Sequence, residues 1–420
     1  MITKLKARVG NDKLLSNSLY LMLATGAMAL FGFVFWIVVA HMFKSTTVGL
    51  ATTLLSMSGL IASLSLVGFD TVFIRFLPKA ENRNAHIDSG LMMVGIASAI
   101  LSAGFCALVP HLAPKLTFVD HNLWYILSFV IFTIFTAWNT LTNAVFVAYR
   151  ETRYVLVINI IFSAIKMVLP FAVMHGGPMA IFAVAGIAQV INVLLSLAAM
   201  MKYFGYRPAP IIHRDVVREV RKYSSGSYVA SFLNLMPITV LPLVVTNQLG
   251  PSQAAFFYIA FTIANLIFTI GYSTTQSLFA ESSHNEEKLD ANLRRGFKIA
   301  VIIGAPAIVV LLLAGQLILK PFGHDYADGA TTILRVLGAS SIFVYMYSAL
   351  NALFKVTKDI RAMIVVNIFY AGIIIGLGWA LAKPLHLLGV GIAWASGNFA
   401  ATIVGLYFRR RAAQREAASA

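Results

Sequence analysis

Apolar stretches of about 20 residues recur from one end of the chain to the other, and they limit its fold more than any other feature. Such a stretch is long enough for an α-helix to cross a bilayer core about 30 Å thick. Only 11% of the residues are charged and 59% are hydrophobic, whereas about a quarter of a soluble domain is charged. A transmembrane barrel would instead show segments of about 10 residues with alternating polarity, which this sequence lacks. We therefore predict an all-α membrane protein.

The apolar stretches predict twelve transmembrane helices, six in each half of the chain. We place them at about 15–41, 47–75, 87–110, 122–149, 154–175, 178–203, 224–248, 253–280, 292–316, 328–354, 360–382 and 386–408. The predicted organisation is an N-terminal six-helix lobe over 1–203, a basic cytoplasmic linker over 204–222, and a C-terminal six-helix lobe with a basic tail over 223–420.

A segment that occurs twice relates the two lobes. Charged and amide residues recur 208 positions later without a gap: Asn143, Phe146, Arg150, Arg153 and Asn159 correspond to Asn351, Phe354, Lys358, Arg361 and Asn367. Upstream, at an offset of 206, a polar face of the second helix corresponds to one on the eighth: Thr52, Ser56, Gly59, Ser63, Leu66 and Asp70 match Tyr258, Thr262, Asn265, Thr269, Tyr272 and Gln276. Because six spans is an even number, we expect a pseudo-twofold axis along the membrane normal and a cleft between two lobes, as in other duplicated transporters.

The net charge of +16 is explained by membrane topology rather than by nucleic-acid binding. Lys and Arg are concentrated in the loops of one side of the predicted bundle, and cytoplasmic loops carry such an excess. The distribution predicts a multi-pass protein with both termini in the cytoplasm.

Lys166 is the residue that stands out within a predicted span. It lies about twelve positions into the fifth helix, roughly 18 Å from its start at 1.5 Å per residue, where a charge costs about 2.5–3.5 kcal/mol on insertion scales. One interpretation is a structural lysine that snorkels or bonds to carbonyls beside Pro170. We favour an ammonium group that faces a cavity and meets an anionic substrate.

Polar stripes on several predicted helices allow two interpretations. Hydroxyl and amide side chains can join helices within a membrane, or together they can line a hydrated cavity, which their occurrence on duplicated helices favours. The stripes are Thr133, Thr136, Thr140, Asn143 and Arg150; Asn159, Ser163, Lys166 and Pro170; Gln189, Asn192 and Ser196; Ser227, Ser231 and Asn234; and Ser341, Ser348 and Asn351.

The positions of the acidic residues and of the possible metal ligands argue against several functions. All sixteen acidic residues fall in predicted loops or at helix ends, and Asp70 comes closest to the membrane. Ion-coupled antiport usually needs a membrane carboxylate. The nine His residues are scattered, and there is no H-E-x-x-H pair, Cys/His metal spacing or phosphate-binding loop. We predict neither catalytic residues nor a metal or cofactor.

Two motifs carry a resemblance to a known family. Gly68-Phe69-Asp70 followed by Arg75-Phe76-Leu77-Pro78, and the junction Tyr149–Tyr154 leading to Asn159 and Lys166, resemble the polysaccharide-transport (Wzx-like) flippases of the MOP superfamily, which is related to MATE transporters. The second copy departs from the pattern, with Gln276 and Glu281 in place of Asp70 and Arg75. The resemblance implies two V-shaped lobes, a cationic cavity and alternating access. It also implies transfer of polyprenyl-pyrophosphate-linked oligosaccharides across the bacterial inner membrane for surface polysaccharide biosynthesis.

The residues themselves suit such a substrate. Guanidinium groups pair well with phosphate oxygens, and amides can bond to sugar hydroxyls, although loop Arg and Lys also set topology. The predicted substrate-binding residues are Lys166, Arg75, Arg150, Arg153, Asn143, Asn159, Asn265, Asn351 and Lys358. The expected partners are the lipid-linked oligosaccharide, membrane lipids and glycan-assembly enzymes, with the chain acting as a monomer. The alternatives are a MATE-like cation-coupled drug or metabolite antiporter that uses Asp70, and a membrane scaffold that transports nothing.

Overall fold

The computed structural model describes residues 13–223, 225–282 and 289–419, and within these ranges every regular element is helical. The predicted N-terminal tail up to residue 12 lies outside them. The α-helices, numbered in chain order, are α1 Lys13–Met42, α2 Ser45–Ser65, α3 Phe69–Phe76, α4 Arg83–Leu112, α5 Leu123–Ala148, α6 Arg153–Val168, α7 Pro178–Phe204, α8 Arg214–Tyr223, α9 Ser225–Leu249, α10 Pro251–Ser282, α11 Leu289–Leu319, α12 His324–Val356 and α13 Ile360–Ser419. Short 3₁₀ turns occur at Leu77–Lys79, Pro114–Val119, Leu169–Val173 and Lys320–Phe322.

The membrane-spanning stretches agree with the predicted number of helices. In the described ranges, eleven helical stretches are long and apolar enough to cross a membrane, and the last of them covers Ile360–Ala412. That stretch is broken at His386, whose φ of 51° and ψ of −141° are not helical. Pro384 precedes the break and cannot donate a backbone hydrogen bond to the helix. The last stretch is therefore two spans, and twelve result.

The second predicted helix, over 47–75, is wrong beyond residue 65. Helix α2 ends at Ser65, and α3 begins only at Phe69, because Val67 and Gly68 both have positive φ, of 48° and 84°. Glycine adopts this conformation readily. The Tyr228 hydroxyl group donates a hydrogen bond of 2.5 Å to the carbonyl oxygen of Leu64, so it occupies a carbonyl near the end of α2 that has no helical partner.

The chain divides into two compact units, the first formed by Met1–Phe43 and Met57–Tyr228. In this unit α1 packs against α6, while α5 contacts α3, α4 and α7. Its apolar core includes Phe69, Phe73 and Phe146. A Cβ atom at Gly90 would lie 2.3 Å from the Phe73 ring, so the close packing of α4 against α3 requires glycine there.

The predicted linker over 204–222 contains helix α8 and is attached to the first unit. Asp88, on α4 and 4% exposed, accepts hydrogen bonds from the Tyr206 hydroxyl at 2.6 Å and from the Ala209 N–H at 3.1 Å. The neighbouring Ser89 hydroxyl accepts one from the His213 N–H at 2.9 Å. The segment between α7 and α8 is therefore bonded along its length to the start of α4.

The second unit consists of Lys44–Ser56 and Val229–Ala420. Within it α12 packs against α10, α11 and α13. Trp394 is fully buried, and its ring lies 4.9 Å from that of Phe261 and 5.7 Å from that of Phe268. The first part of α2 is fastened by a hydrogen bond of 2.6 Å between Thr53 and Thr246. The boundaries at 203 and 223 that the sequence suggests for the two lobes stay a prediction.

Candidate functional site

The duplicated segment begins with a helix end that has the same backbone geometry in both copies. In the first, α5 ends at Ala148, and Tyr149 follows with φ −76° and ψ −4°. Arg150 then adopts a left-handed conformation with φ 57°. The Glu151 N–H bonds to the carbonyl of Phe146 at 3.0 Å, which is the six-to-one bond of a Schellman helix end.

The second copy repeats each of these features 208 residues later. Helix α12 ends at Val356, and Thr357 has φ −74° and ψ −2°. Lys358 is left-handed with φ 56°, which differs by one degree from the value at Arg150. The Asp359 N–H bonds to the carbonyl of Phe354 at 3.0 Å. The match between the two sequence segments is therefore also a match of backbone conformation.

The predicted cationic residues of the first unit have different surroundings. Arg150 and Arg75 are exposed, and the Arg75 guanidinium carbon lies 5.4 Å from the centre of the Phe76 ring. Arg153 is paired: its Nε atom is 2.8 Å from Oε2 of Glu151. Part of its charge is thus neutralised within its own turn.

The predicted amides of the first unit bond to other amides, Asn159 between two helices and Asn143 within one. Asn159 on α6 is 4% exposed, and its Oδ1 atom accepts a hydrogen bond of 3.1 Å from Asn192 on α7. Asn143 donates a bond of 3.2 Å to Asn139, one turn earlier on α5. The bond between Asn159 and Asn192 is of the kind that joins helices inside a membrane. For Asn159, the structure therefore shows the helix-joining role that the sequence allowed.

Lys166 lies in the last turn of α6 and points its ammonium group at aromatic rings. Its Nζ atom is 4.3 Å from the centre of the Phe35 ring and 5.9 Å from those of Trp36 and Phe162. These distances allow cation–π attraction. Among the described residues, no carboxylate lies within salt-bridge distance of it. The sequence identified the lysine but gave no sign of the rings from α1.

A cavity of about 580 Å³ lies within the second unit. Helices α9, α10, α12 and α13 contribute its walls, and the lining residues are Ala230, Ser231, Asn234, Ile238, Tyr272, Tyr347, Ser348, Asn351, Ala352, Lys355, Met363 and Asn367. Of the lining residues that the structure describes, Lys355 is the charged one and none is a carboxylate.

A chain of hydrogen bonds fixes the polar lining of this cavity. Asn234 donates to the Tyr347 hydroxyl at 2.6 Å, and Tyr347 donates to Oδ1 of Asn367 at 2.5 Å. Asn351 approaches the same oxygen at 3.4 Å, while Asn367 donates to the carbonyl of Ala230 at 2.8 Å. The bonds therefore connect α9, α12 and α13 and set the orientation of the amides.

Two models of known protein families match the chain. Residues 14–267 match the model of a family described as polysaccharide biosynthesis protein, and residues 228–380 match the model described as MatE. The chain belongs to the polysaccharide biosynthesis protein family. None of the curated proteins compared with it matches.

Solved structures show the fold of this family member. An inward-facing multidrug resistance MATE family transporter of the MOP superfamily is 17% identical, with a TM-score of 0.71, and the match covers 94% of this chain and 96% of the other. The lipid II flippase MurJ in an inward closed conformation is 12% identical, with a TM-score of 0.69 and coverage of 93% and 87%. A MOP superfamily transporter from Pyrococcus furiosus is 18% identical, with a TM-score of 0.61 and coverage of 95% of each chain. The predicted fold, an all-α membrane protein with a MATE-like arrangement of helices, is confirmed.

The structure brings together only some of the residues that were predicted to bind substrate in this member of the polysaccharide biosynthesis family. Asn351 lines the cavity, whereas Asn265 is exposed on α10 and Lys358 is exposed in the turn after α12. Tyr347 and Asn367 were not predicted as binding residues. Asn367 did appear in the duplicated segment, which was a usable signal, but nothing in the sequence singled out Tyr347.

Proposed function

We propose that this protein is a flippase that carries polyprenyl-pyrophosphate-linked oligosaccharides from the inner to the outer leaflet of a bacterial inner membrane by alternating access. The observation that supports this most is the cavity of the second unit. Among the described residues, its polar lining is built from amides and hydroxyl groups, with Lys355 as the charged group and no carboxylate. The chain then acts as a transporter and not as an enzyme, in the biosynthesis of surface polysaccharide.

The lining suits a sugar chain better than a cationic molecule. Each sugar hydroxyl donates and accepts hydrogen bonds, and Asn and Ser side chains offer both functions. Tyr272 and Tyr347 add ring surface and hydroxyl groups to the wall. The volume of about 580 Å³ is within the range of small-ligand sites, about 300–1,000 Å³. A cation would find an ammonium group there and, within the described part of the chain, no negative partner.

The anionic end of the substrate needs positive groups, which the chain provides near the ends of its spans and at Lys166. Arg150 and Lys358 follow helices that cross the membrane and Arg153 begins one, while Arg75 lies in the short helix α3 after the second span. We assign these side chains to the diphosphate. The excess of Lys and Arg on one predicted side supports cytoplasmic termini, and in our proposal these groups face the side from which the substrate enters.

Transport can be tested with the purified full-length protein in liposomes. Lipid-linked oligosaccharide carrying a fluorescent sugar is incorporated on both leaflets, and a membrane-impermeant quencher is added outside. Active protein lets the quencher reach nearly all of the label, whereas protein-free liposomes leave the inner half protected. Wild-type protein that leaves the inner half protected would contradict the proposal and would favour a scaffold for glycan-assembly enzymes.

Substitutions at two cavity residues test whether transport depends on the cavity. Asn351→Leu and Asn367→Leu remove amides from the lining. Both substitutions are expected to slow the rate at which the label of the inner leaflet becomes accessible to the quencher. Ile368→Leu is the matched control, because Ile368 follows Asn367 on α13 but is 51% exposed. Equal transport rates in all three variants would show that transport does not depend on this cavity.

A second candidate is a cation-coupled antiporter, which the match of residues 228–380 to the MatE model favours. It requires a membrane carboxylate for the coupling ion. Asp70 lies in the first turn of α3 and is partly exposed, and Asp88 is bonded to Tyr206 and Ala209. Loss of ion-driven efflux of a cationic dye from vesicles on Asp70→Asn would favour the antiporter over the flippase.

A further inference from the structure

Two cationic residues occupy a backbone conformation that normally belongs to glycine. Arg150 and Lys358 both follow the end of a long helix with positive φ, at the position where Schellman helix ends usually carry glycine. The conformation is unfavourable for any L-residue with a Cβ atom. Only Val67 and His386 share this property among the non-glycine residues that the structure describes. Both copies of the duplicated turn thus keep a cationic side chain where glycine would be more stable.

In the first turn, the carboxylate next to the cation has another partner. Glu151 follows Arg150 directly, yet its Oε2 atom lies 2.8 Å from Nε of Arg153. Arg150 is exposed and forms no ion pair with any residue in the described ranges. Its guanidinium group is therefore available to an external anion.

In the second turn, the carboxylate next to the cation is also engaged elsewhere, but by a backbone hydrogen bond. Asp359 follows Lys358, and its Oδ1 atom accepts a hydrogen bond of 2.9 Å from the Ala362 N–H at the start of α13. Lys358 is exposed, and the described part of the chain offers its ammonium group no carboxylate at salt-bridge distance. Two independent arrangements thus leave the equivalent cation unpaired.

Both residues lie just beyond the end of a membrane-spanning helix. The spans end at Ala148 and Val356, so each cation comes two residues after a membrane-crossing helix. Side chains at this level reach the headgroup region, where Lys and Arg meet anionic lipid groups. Arg can bind a phosphate with two parallel hydrogen bonds, and Lys acts as a point charge.

From these observations we infer that Arg150 and Lys358 are a duplicated pair of phosphate-binding positions, one in each unit, for a phosphate or diphosphate group attached to a lipid. The group comes from the lipid-linked substrate or from an anionic phospholipid of the leaflet. The first source rests on the proposed function. Arg153 is not part of this pair, because it is helical and Glu151 already neutralises part of its charge.

The left-handed conformation provides a test in which stability and binding change in opposite directions. Arg150→Gly and Lys358→Gly remove the cation but suit the backbone, so their thermal unfolding midpoints are expected to equal or exceed that of the wild type. Binding of the anionic lipid is expected to fall about tenfold in each, because a charge-assisted hydrogen bond is lost. Arg150→Asn and Lys358→Asn, which also tolerate this conformation, repeat the test without glycine. Lys79→Ala, which removes an exposed charge from the turn after α3, is the matched control.

Native mass spectrometry of the purified full-length protein measures binding of three probes: a polyprenyl diphosphate, phosphatidylglycerol and phosphatidylcholine. Weaker binding of the diphosphate alone supports the substrate as the source, and weaker binding of phosphatidylglycerol alone supports the leaflet. Unchanged binding of both anionic lipids in all four variants overturns the inference. If that happens while the wild type still moves labelled oligosaccharide in liposomes, the proposed function stands without these positions.

Discussion

The hydroxyl group of Tyr347 donates a hydrogen bond of 2.5 Å to the Oδ1 atom of Asn367, which lies 20 residues later in the chain. The same hydroxyl accepts a bond from Asn234, so one phenol group connects α9, α12 and α13. Its ring also stacks on Tyr370, with centres 4.4 Å apart. A side chain held on both its ring and its hydroxyl gives the cavity wall a defined shape, which favours selective binding over general adhesion.

Tyr347→Phe is expected to destabilise the protein by about 1–3 kcal/mol, because the buried Asn367 and the half-buried Asn234 each lose a partner. Thermal unfolding in detergent measures the effect, and the liposome assay should show slower transport. Tyr370→Phe is the control, because the described residues give the Tyr370 hydroxyl no hydrogen bond. Equal destabilisation by both substitutions would mean that ring packing, and not the hydrogen-bond chain, holds the wall.

Lys166→Met is expected to leave stability unchanged or to raise it while transport falls by about tenfold or more. Methionine keeps contact with Phe35 and Trp36 through sulfur–aromatic packing, but it lacks the charge, for which the described residues provide no carboxylate partner. Lys166→Arg preserves cation–π attraction and should retain transport. Normal glycan export by the Lys166→Met protein at wild-type abundance would remove Lys166 from the mechanism.

The overall fold was predictable because membrane spans are long and chemically simple. Apolar length alone indicated the helices, and the recurrence of Arg150 as Lys358 indicated the duplication. The break at Val67 was not predictable in the same way. A valine at positive φ contradicts local preference, so only the surrounding contacts, such as the bond from Tyr228 to Leu64, explain it.

The candidate site was less predictable than the fold, for a physical reason. Asn351 and Asn367 were visible because they recur at a fixed offset, but Tyr347 has no counterpart of this kind in the sequence. The contact between Phe35 on α1 and Lys166 on α6 joins residues that are about 130 positions apart in the chain. Apolar sequence carries little information on which aromatic residue meets which polar one, so such contacts need coordinates.

Val67→Gly is expected to stabilise the protein by roughly 1 kcal/mol, because a β-branched residue with φ of 48° is strained and glycine is not. The Val67 side chain is 44% exposed, so little packing is lost. Val67→Ala keeps the Cβ atom and is the comparison, with a smaller gain. The midpoint of thermal unfolding measures both, and a glycine variant less stable than the alanine variant would show that the break is not strained at Val67.

Tyr206→Phe is expected to lower stability at neutral pH by about 1–3 kcal/mol, since the buried Asp88 carboxylate loses a donor. Burial, the hydrogen bond to Asp88 and the negative charge of Asp88 raise the pKa of Tyr206 above its ordinary value of 10.0. The folded protein therefore keeps this proton at pH values where the unfolded chain loses it. The stabilisation by Tyr206 is complete below pH 10 and is lost as the pH rises above that value. The difference between the wild type and Tyr206→Phe in thermal unfolding should thus be constant from pH 7 to 9 and shrink towards pH 11.

Tyr203→Phe is the matched control for this pH dependence, because Tyr203 lies three residues earlier and its side chain is 57% exposed. It should reduce stability little at any pH. A difference between wild type and Tyr206→Phe that stays constant up to pH 11 would mean that the Tyr206 proton is not held by the fold. The hydrogen bond to Asp88 would then not be what fastens the segment between α7 and α8, and the backbone bonds from Ala209 and His213 would have to hold it alone.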